Sequence, residues 1–446
     1  MTPGRAAVPG HGEHDHGGWV RRLARMMATL VYRDIDVHLP DAPLPTGPIV
    51  AVANHFGGLS DGVLLVDCLP RMPRIVARDA IWRVPGLRQM ATGARMIPVH
   101  RAADGGPTSN DAMFGTAYEA LRSGDLLLIF PEGVTQDAPH LAPVRTGAAR
   151  ILLGAAASGV ADIHVLPIGI HYEDKSGFRS RALVNVGDPI DLDSWIAHRT
   201  DPTDGADDRA AVSALTGAID QALRRAAPDF PDWPTARALE TAADVVLHDV
   251  GETSAPAIRY GDRALLAGRF NRVAEPARTH LVAAAARYRS ALARLRTGDR
   301  AVAVAMGTAR PRSRWWLLDL ALVLLLLPFA LAGLAVALGP LLLTVVTSRL
   351  PLAPAMRATL VPGIALLSFA FEWLTLSWLA LRDAGWEYGM AAMALFWFVV
   401  AALFLVAEHV VLLRSRWRSR RPARAEELAT LSSLRGELSE QAWVVL

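Results

Sequence analysis

Hydrophobic positions over the first half of the chain fall into short runs that alternate with segments of helical spacing. The run PIVAVAN at 48–54 is short, β-branched and bounded by turn residues, which is typical of a buried strand in a mainly parallel sheet. Further strand-like runs occur at 74–77, 126–130, 165–172 and 182–186. This alternation predicts an α/β fold, with a mainly parallel sheet flanked by helices.

The pattern changes twice farther along the chain. From 204 to 296 the spacing is helical, and the segment 315–347 is almost wholly apolar. Two more apolar segments, 359–381 and 390–413, exceed the length that a helix needs to cross a bilayer. We therefore expect the α/β domain to be followed by a helical region and a C-terminal transmembrane region.

The first strand-like run ends in Asn54, His55, two glycines and, after Leu59 and Ser60, Asp61. Ligands of open α/β sheets bind at the carboxyl ends of strands, where His55 is expected. Six residues along a helix would place His55 and Asp61 on different faces, so a loop must bring them together. Gly57 and Gly58 supply that loop, because glycine accepts a positive φ.

An imidazole held by a carboxylate is a general base, since the acid fixes its tautomer and stabilises the imidazolium. The alternative is a histidine that caps the following helix. Spacing alone leaves both interpretations of His55 open.

Two motifs together resemble a known signature. Asn54-His55 with Asp61, and FPEG at 130–133, are similar to motifs of the glycerolipid acyltransferases, which acylate glycerol-3-phosphate and lysophosphatidic acid. Most members have four residues between His and Asp, whereas this chain has five. That spacing resembles a subgroup with fungal glycerol-3-phosphate and dihydroxyacetone-phosphate acyltransferases. The resemblance covers about residues 30–300.

The resemblance implies roles for individual residues. His55 and Asp61 are implied to be catalytic. The residues implied to bind substrate are Asn54, Arg101, Glu132, Gly133, Arg145 and Pro167. Among them, the two arginines are implied to hold the acceptor phosphate, which suits a planar guanidinium. Val134 stands where the family has a threonine, so a hydroxyl contact at that point is in doubt.

Composition agrees with a membrane-associated protein. Hydrophobic residues make up 52% of the chain, its mean hydropathy is +0.25, and its net charge is +3. Lys175 is the only lysine, and many arginines lie beside apolar runs, which favours anionic lipid or phosphate as a partner over nucleic acid. A single cysteine, Cys68, excludes an intrachain disulfide.

These observations divide the chain into six expected segments. They are a disordered tail at 1–18, an amphipathic interfacial helix and lead-in at 19–45, a catalytic domain at 46–200, a helical extension at 201–310, a membrane region at 311–424 and a cytoplasmic tail at 425–446. The helix at 19–33 has apolar side chains near one face and arginines toward another. It suits a membrane surface or packing on the domain equally well.

The expected function is a membrane-bound O-acyltransferase. It would move a fatty acyl group from acyl-CoA or acyl-carrier protein to a hydroxyl of glycerol-3-phosphate or a lysophospholipid such as lysophosphatidic acid. Loop amides near Gly57 and Gly58 are expected to stabilise the oxyanion, and the chemistry needs no metal and no cofactor besides the acyl donor. The rivals are an inactive lipid-binding or scaffolding module of the same fold, and a transporter with a soluble appendage.

Counting spans and counting charges disagree about topology. Three crossings would place the two flanks on opposite sides, yet arginines at 310–314 precede the first apolar segment and arginines at 414–421 follow the last. Both flanks should be cytoplasmic, as should the catalytic domain of a cell-membrane protein. A re-entrant hairpin within 315–347, bent at Pro328 or Gly339-Pro340, would remove the conflict.

Overall fold

The computed structural model describes ten segments of the chain. They are residues 18–84, 86–100, 110–135, 137–175, 179–198, 205–250, 258–307, 316–351, 354–418 and 425–446. Contacts divide the chain into two compact units. The first comprises Met1–Trp233 with Arg259–Gly268, and the second comprises Pro234–Ile258 with Arg269–Leu446. The six expected segments stay a prediction.

A single sheet organises the first unit. Within the described residues its strands are β1 (Tyr32–His38), β2 (Ile49–Ala53), β3 (Arg74–Arg78), β4 (Ile97–Val99), β5 (Leu126–Ile129), β6 (His164–Tyr172), β7 (Ser180–Val186) and β8 (Ile190–Asp191). Their order is β1-β7-β6-β2-β5-β3-β4, with β8 beside β6. Only the pairs β6–β7 and β6–β8 are antiparallel among those described, which confirms the predicted mainly parallel sheet.

Helices cover both faces of this sheet. They are α1 (Gly18–Val31), α2 (Leu59–Cys68), α3 (Leu87–Gly93), α4 (Asp111–Arg122), α5 (Gly147–Ala157), α6 (Leu192–Ala197) and α7 (Arg209–Ala226). Ile49, Ala51 and Ala53 of β2 pack with α2 in one buried cluster. Val50 and Val52, on the opposite face, pack with α4, α5 and α7 in another. Burial on both faces explains why β2 is apolar at every position.

The amphipathic helix α1 packs on the domain. Its apolar stripe of Val20, Ala24 and Ala28 is buried, and Arg25 Nε lies 3.0 Å from the Asp67 carboxylate of α2. Trp19 remains half exposed. The helix ends at Val31, and the next residues form β1, which the sequence did not indicate because its apolar positions are interspersed with charged ones. A role for α1 at a membrane surface stays a prediction.

The second unit is helical. Its described helices are α8 (Trp233–Val250), α9 (Tyr260–Asn271), α10 (Ala277–Arg294), α11 (Asp299–Ala305), α12 (Trp316–Ser348), α13 (Pro354–Ala384), α14 (Trp386–Arg418) and α15 (Ala425–Val444). The boundary between the two units falls within α9, after Gly268. Within the described residues, α12, α13 and α14 are long and apolar enough to cross a membrane. The predicted helical region, followed by apolar helices long enough to span a membrane, is thus confirmed.

The predicted hairpin within 315–347 is wrong. The segment is one helix, α12, with Pro328 and Pro340 inside it. A sharp reversal in an apolar segment would leave backbone groups without partners, whereas a continuous helix satisfies nearly all of them internally. The conflict between span count and charge therefore needs another explanation.

Candidate active site

The loop between β2 and α2 brings the two predicted catalytic residues together. His55 Nδ1 lies 2.8 Å from Asp61 Oδ2. Helix α2 begins at Leu59, so Asp61 occupies its first turn, where the helix dipole favours a negative charge. The reversal before the helix uses Gly58 at φ 66°, as the glycine pair predicted.

Asp61 is completely buried and held from three directions. Besides His55, it accepts hydrogen bonds from the Gly57 amide at 2.8 and 3.0 Å and from the Tyr172 hydroxyl at 2.6 Å. A Cβ on Gly57 would lie 2.8 Å from Asp61 Oδ1. A glycine is therefore needed here because the carboxylate lies so close to the backbone, and not because the backbone adopts a positive φ. Because the carboxylate takes the Gly57 amide, that amide cannot be the expected oxyanion donor; the Gly58 amide remains a candidate.

Tyr172 is a site residue that sequence reasoning missed. It ends β6, beside β2 in the sheet, and its ring stacks on Tyr32 with centroids 5.6 Å apart. Burial, with the charge of Asp61, raises the pKa of Tyr172 well above its ordinary value, so it stays a hydrogen-bond donor. The usable signal was positional, because the carboxyl ends of parallel neighbours meet at one sheet edge.

Glu132 connects the His55 loop to the segment after β5. Its Oε1 accepts the His55 backbone N–H and its Oε2 accepts the Ala142 backbone N–H, both at 2.8 Å. Burial raises the pKa of Glu132, and these two amides offset part of that rise. Since the carboxylate is buried and both oxygens accept backbone donors, its geometry favours positioning of His55 over direct contact with an acceptor.

Asn54 connects the same loop to β6. Its amide nitrogen donates to the Ile170 carbonyl at 2.9 Å, and its oxygen accepts the Ile170 N–H at 2.6 Å. The side chain is fully buried and both ends of its amide are used. This geometry likewise favours positioning; the implied contact between Asn54 and substrate stays a prediction.

The arrangement leaves one nitrogen of His55 for chemistry. With Nδ1 facing Asp61, Nε2 is the basic atom of the neutral ring. The ring stacks on Phe130, with centroids 4.3 Å apart, and about a fifth of the side chain (21%) is exposed. A fixed tautomer, a buried carboxylate and a partly exposed imidazole have the geometry that a general base for a hydroxyl group needs.

Comparisons with known proteins agree with this geometry. Residues 34–171 match the family model described as Acyltransferase. Over 175 residues the chain is 31% identical to glycerol-3-phosphate O-acyltransferase 2 of Saccharomyces cerevisiae, which covers 39% of this chain and 23% of that protein. Over 131 residues it is 29% identical to glycerol-3-phosphate O-acyltransferase 1 of that organism, covering 29% of this chain and 17% of that protein.

Residues 34–171 therefore form an acyltransferase domain, and the two yeast relatives support a relation to the glycerolipid acyltransferases. The chain spans less than a quarter of the length of these two relatives, at 23% and 17%. Among solved structures, the crystal structure of the 1-acyl-sn-glycerophosphate acyltransferase of Thermotoga maritima aligns with a TM-score of 0.32 and 16% identity, over 46% of this chain and 78% of that chain.

Arg145 lies beside the FPEG turn of this acyltransferase domain. Its Nε donates to the Glu132 carbonyl at 3.0 Å, and its backbone N–H donates to the Pro131 carbonyl at 2.9 Å. Gly133 adopts φ 66°, and a Cβ there would lie 3.1 Å from Arg145. The residue is exposed, and its Nη groups make no hydrogen bond or ion pair within the described part of the chain. They are therefore placed to receive an anionic ligand.

Of the other two residues implied to bind substrate, the structure describes Pro167 but not Arg101. Pro167 is buried inside β6, in register with Val52 of β2, and accepts the Gly187 N–H at 2.8 Å. Its predicted place in the site lining stays a prediction. Arg101 lies outside the described residues.

Lys175 also lies next to the family motifs, and sequence reasoning gave it no role. Its Nζ donates to the Phe56 carbonyl at 3.4 Å and forms an ion pair with Asp137, on the segment after FPEG. Burial lowers the pKa of Lys175 to about 8, against the attraction of Asp61. The only lysine of the chain thus joins two loops that form the site.

Proposed function

We propose that the protein is a membrane-bound O-acyltransferase that moves a fatty acyl group from a thioester to a hydroxyl of glycerol-3-phosphate or of a lysophospholipid such as lysophosphatidic acid. One observation carries the proposal: the 2.8 Å contact between His55 Nδ1 and the fully buried Asp61, which leaves Nε2 as the base. The family supports the reaction class. The cell membrane, with the catalytic domain on the cytoplasmic face, is the proposed location.

The proposed reaction begins with proton transfer. His55 Nε2 takes the proton of the acceptor hydroxyl as its oxygen attacks the thioester carbonyl carbon, and Asp61 stabilises the imidazolium. The tetrahedral oxyanion then collapses, the carbon–sulfur bond breaks, and the imidazolium returns its proton to the thiolate. The chain's groups accomplish every transfer, so the proposal needs no metal or cofactor besides acyl-CoA or acyl-carrier protein as donor.

Acceptor recognition is proposed to rest on arginine. The Nε of Arg145 donates to the Glu132 carbonyl, which leaves its two Nη groups for a ligand. The side chain of Glu132 accepts the backbone N–H of His55. A phosphate bound at Arg145 would therefore be tied to the position of the base. Arg101 is proposed to assist as a second phosphate ligand.

Product analysis tests the activity. The purified full chain would be offered acyl-CoA with glycerol-3-phosphate, lysophosphatidate or glycerol, and the products identified by mass spectrometry. Transfer to a phosphorylated acceptor is expected, together with its loss in His55→Ala. The matched control is His280→Ala, at an exposed position on α10. Undiminished turnover in His55→Ala would overturn the mechanism, and absence of any transfer by the wild type would favour a lipid-binding module.

The phosphate contact has its own test. Loss of a charge-assisted hydrogen bond costs about 1.5–3 kcal/mol, so Arg145→Ala should raise the acceptor KM roughly tenfold or more while the acyl-CoA KM changes little. Arg150→Ala, five residues on and exposed on α5, is the control. Equal increases in both KM values would contradict a phosphate-binding role.

A further inference from the structure

The first and third apolar helices run in opposite directions. Asp319 of α12 lies 3.8 Å from His409 near the end of α14. Farther along α12, Phe329 packs on Phe398 with ring centroids 5.1 Å apart, and Gly333 lies against the backbone of Val399. The α14 partner is residue 409 at the start of α12 and residues 398 and 399 farther along it, so α12 and α14 are antiparallel. Three successive full crossings would instead make the first and third parallel in direction.

The links around α13 constrain it further. Because α12 and α14 are antiparallel, the C-terminus of α12 and the N-terminus of α14 lie at the same end of the pair. Five residues separate Ser348 from Pro354, and Gly385 alone separates α13 from α14. At about 3.5 Å per residue the longer link reaches about 20 Å, short of the ~30 Å hydrocarbon core. Helix α13 must therefore begin and end at that same end.

The contacts of α13 agree with this placement. Glu372, in its second half, lies 3.9 Å from the Cβ position of Gly339, and Trp373 Nε1 donates to the Met393 carbonyl at 3.0 Å. Both partners belong to the halves of α12 and α14 nearest the short links. Helix α13 also has the lowest mean hydropathy of the three. An acidic residue within the helix, Glu372, is less costly near a polar interface than at the centre of a bilayer, so it favours a position near the interface over a full crossing.

The flanks of the membrane region supply an independent observation. Arg435 of α15, which follows the three helices, donates from Nε to Asp299 of α11 at 2.8 Å, and α11 precedes them. Only ten residues join α11 to α12 and six join α14 to α15. Helices on opposite sides of a bilayer could not form this buried contact. Both flanks therefore lie on one side, which requires an even number of crossings.

We propose that α12 and α14 are the only two crossings among the described helices, and that α13 is seated in the leaflet distant from α11 and α15, held across the end of the α12–α14 pair. This arrangement gives the apolar segments one partner, a lipid bilayer, and places the arginine-rich flanks together. It removes the disagreement between span count and charge without a hairpin. The inference is independent of acyl transfer.

Four single cysteines in a Cys68→Ser background test the proposal. Leu350→Cys and Ala384→Cys report on the two ends of α13, whereas Ala293→Cys on α10 and Ser433→Cys on α15 report on the flanks; all four positions are exposed. Gly385 is avoided because its φ of 99° would strain a cysteine. Intact cells would be treated with a membrane-impermeant thiol reagent, and detergent-solubilised samples would confirm that each thiol reacts. A thiol silent in detergent would be replaced by Arg349→Cys or Asp383→Cys.

The expected result is that Leu350→Cys and Ala384→Cys label together and the two flank cysteines label only after permeabilisation. The reverse pattern, with the flanks labelled and both ends of α13 protected, also supports two crossings in the opposite orientation. Labelling that separates Leu350→Cys from Ala384→Cys would mean that α13 crosses and would overturn the proposal. Labelling of Leu350→Cys with the flank cysteines would mean that α12 does not cross, which overturns it as well.

Discussion

At the scale of single residues, Gly57 shows how closely the site is packed. A methyl group there would lie 2.8 Å from Asp61 Oδ1 and 3.1 Å from the Tyr172 hydroxyl, so Gly57→Ala must displace the carboxylate. We expect that variant to lose most acyl transfer. Gly62→Ala in α2 is the control, because its Cβ would meet Ile75 at an ordinary 3.6 Å. Alanine should stabilise that helix by about 0.5–1 kcal/mol. Equal activity in both variants would contradict the proposed role of Asp61.

Lys175 predicts a pH dependence. Its lowered pKa of about 8 means that the ammonium is present below that pH and lost above it, which would weaken its bonds to Phe56 and Asp137. Activity should therefore fall as pH rises past about 8. Lys175→Arg, whose guanidinium keeps its charge, should extend activity to higher pH, whereas Lys175→Met should lower kcat at every pH. Coincident kcat–pH profiles for wild type and Lys175→Arg would exclude this contribution.

The sequence predicts the identity of the base better than the identity of its supports. His55 and Asp61 are close in the chain, so a strand end followed by two glycines was enough to predict their contact. Tyr172 lies 111 positions from Asp61, and Glu132 lies 77 from His55. Contacts of that separation depend on strand order, which one sequence pattern does not contain. The family resemblance supplied Glu132 as a site residue, but its orientation toward backbone amides appears only in the fold.

At the scale of elements, Glu132 joins the loops after β2 and β5. Both its oxygens accept backbone N–H groups, so a glutamine would present its own N–H₂ to one of them. We expect Glu132→Gln to lower kcat at least tenfold and to reduce the melting temperature, because a buried unsatisfied donor costs about 1–3 kcal/mol.

Glu119→Gln is the matched control, since Glu119 is exposed on α4. If Glu132 contacted only the acceptor, the glutamine variant would raise the acceptor KM and leave thermal unfolding unchanged. The paired measurement of KM and melting temperature therefore separates positioning from substrate binding.

The strands and helices themselves were predictable wherever an apolar run was continuous. β2, β5 and β6 are buried on both faces and stood out as apolar segments. β1 did not, because it lies at the sheet edge and four of its seven residues are charged or His. The hairpin within 315–347 failed for a different reason. A proline ends a helix less readily in apolar surroundings, because backbone N–H and C=O groups freed by a break would find no water to hydrogen-bond.

At the scale of the second unit, a buried polar network fixes α15 to the helices that precede the membrane region. Asp299 accepts hydrogen bonds from Tyr288 at 2.6 Å and from Arg435 at 2.8 Å, and lies 2.6 Å from His248 Nδ1. Burial alone would raise the pKa of Asp299, but His248 and Arg435 outweigh it and lower that pKa. The stabilisation is therefore present above about pH 4 and is lost as pH falls below that value.

Removing Arg435 should release α15. Its side chain is 2% exposed, so Arg435→Met leaves the Asp299 charge buried without its arginine partner, and loss of one member of a buried pair costs about 3–5 kcal/mol. We expect a lower melting temperature in detergent and faster proteolysis within α15. The control is Arg287→Gln, which breaks the exposed pair with Glu437 between α10 and α15 and should cost less than about 1 kcal/mol. Similar small effects of both substitutions would show that apolar packing of Leu431 and Leu438 holds α15 without the charge network. A large effect of Arg435→Met alone would assign the joining of the two membrane flanks to Arg435 and Asp299.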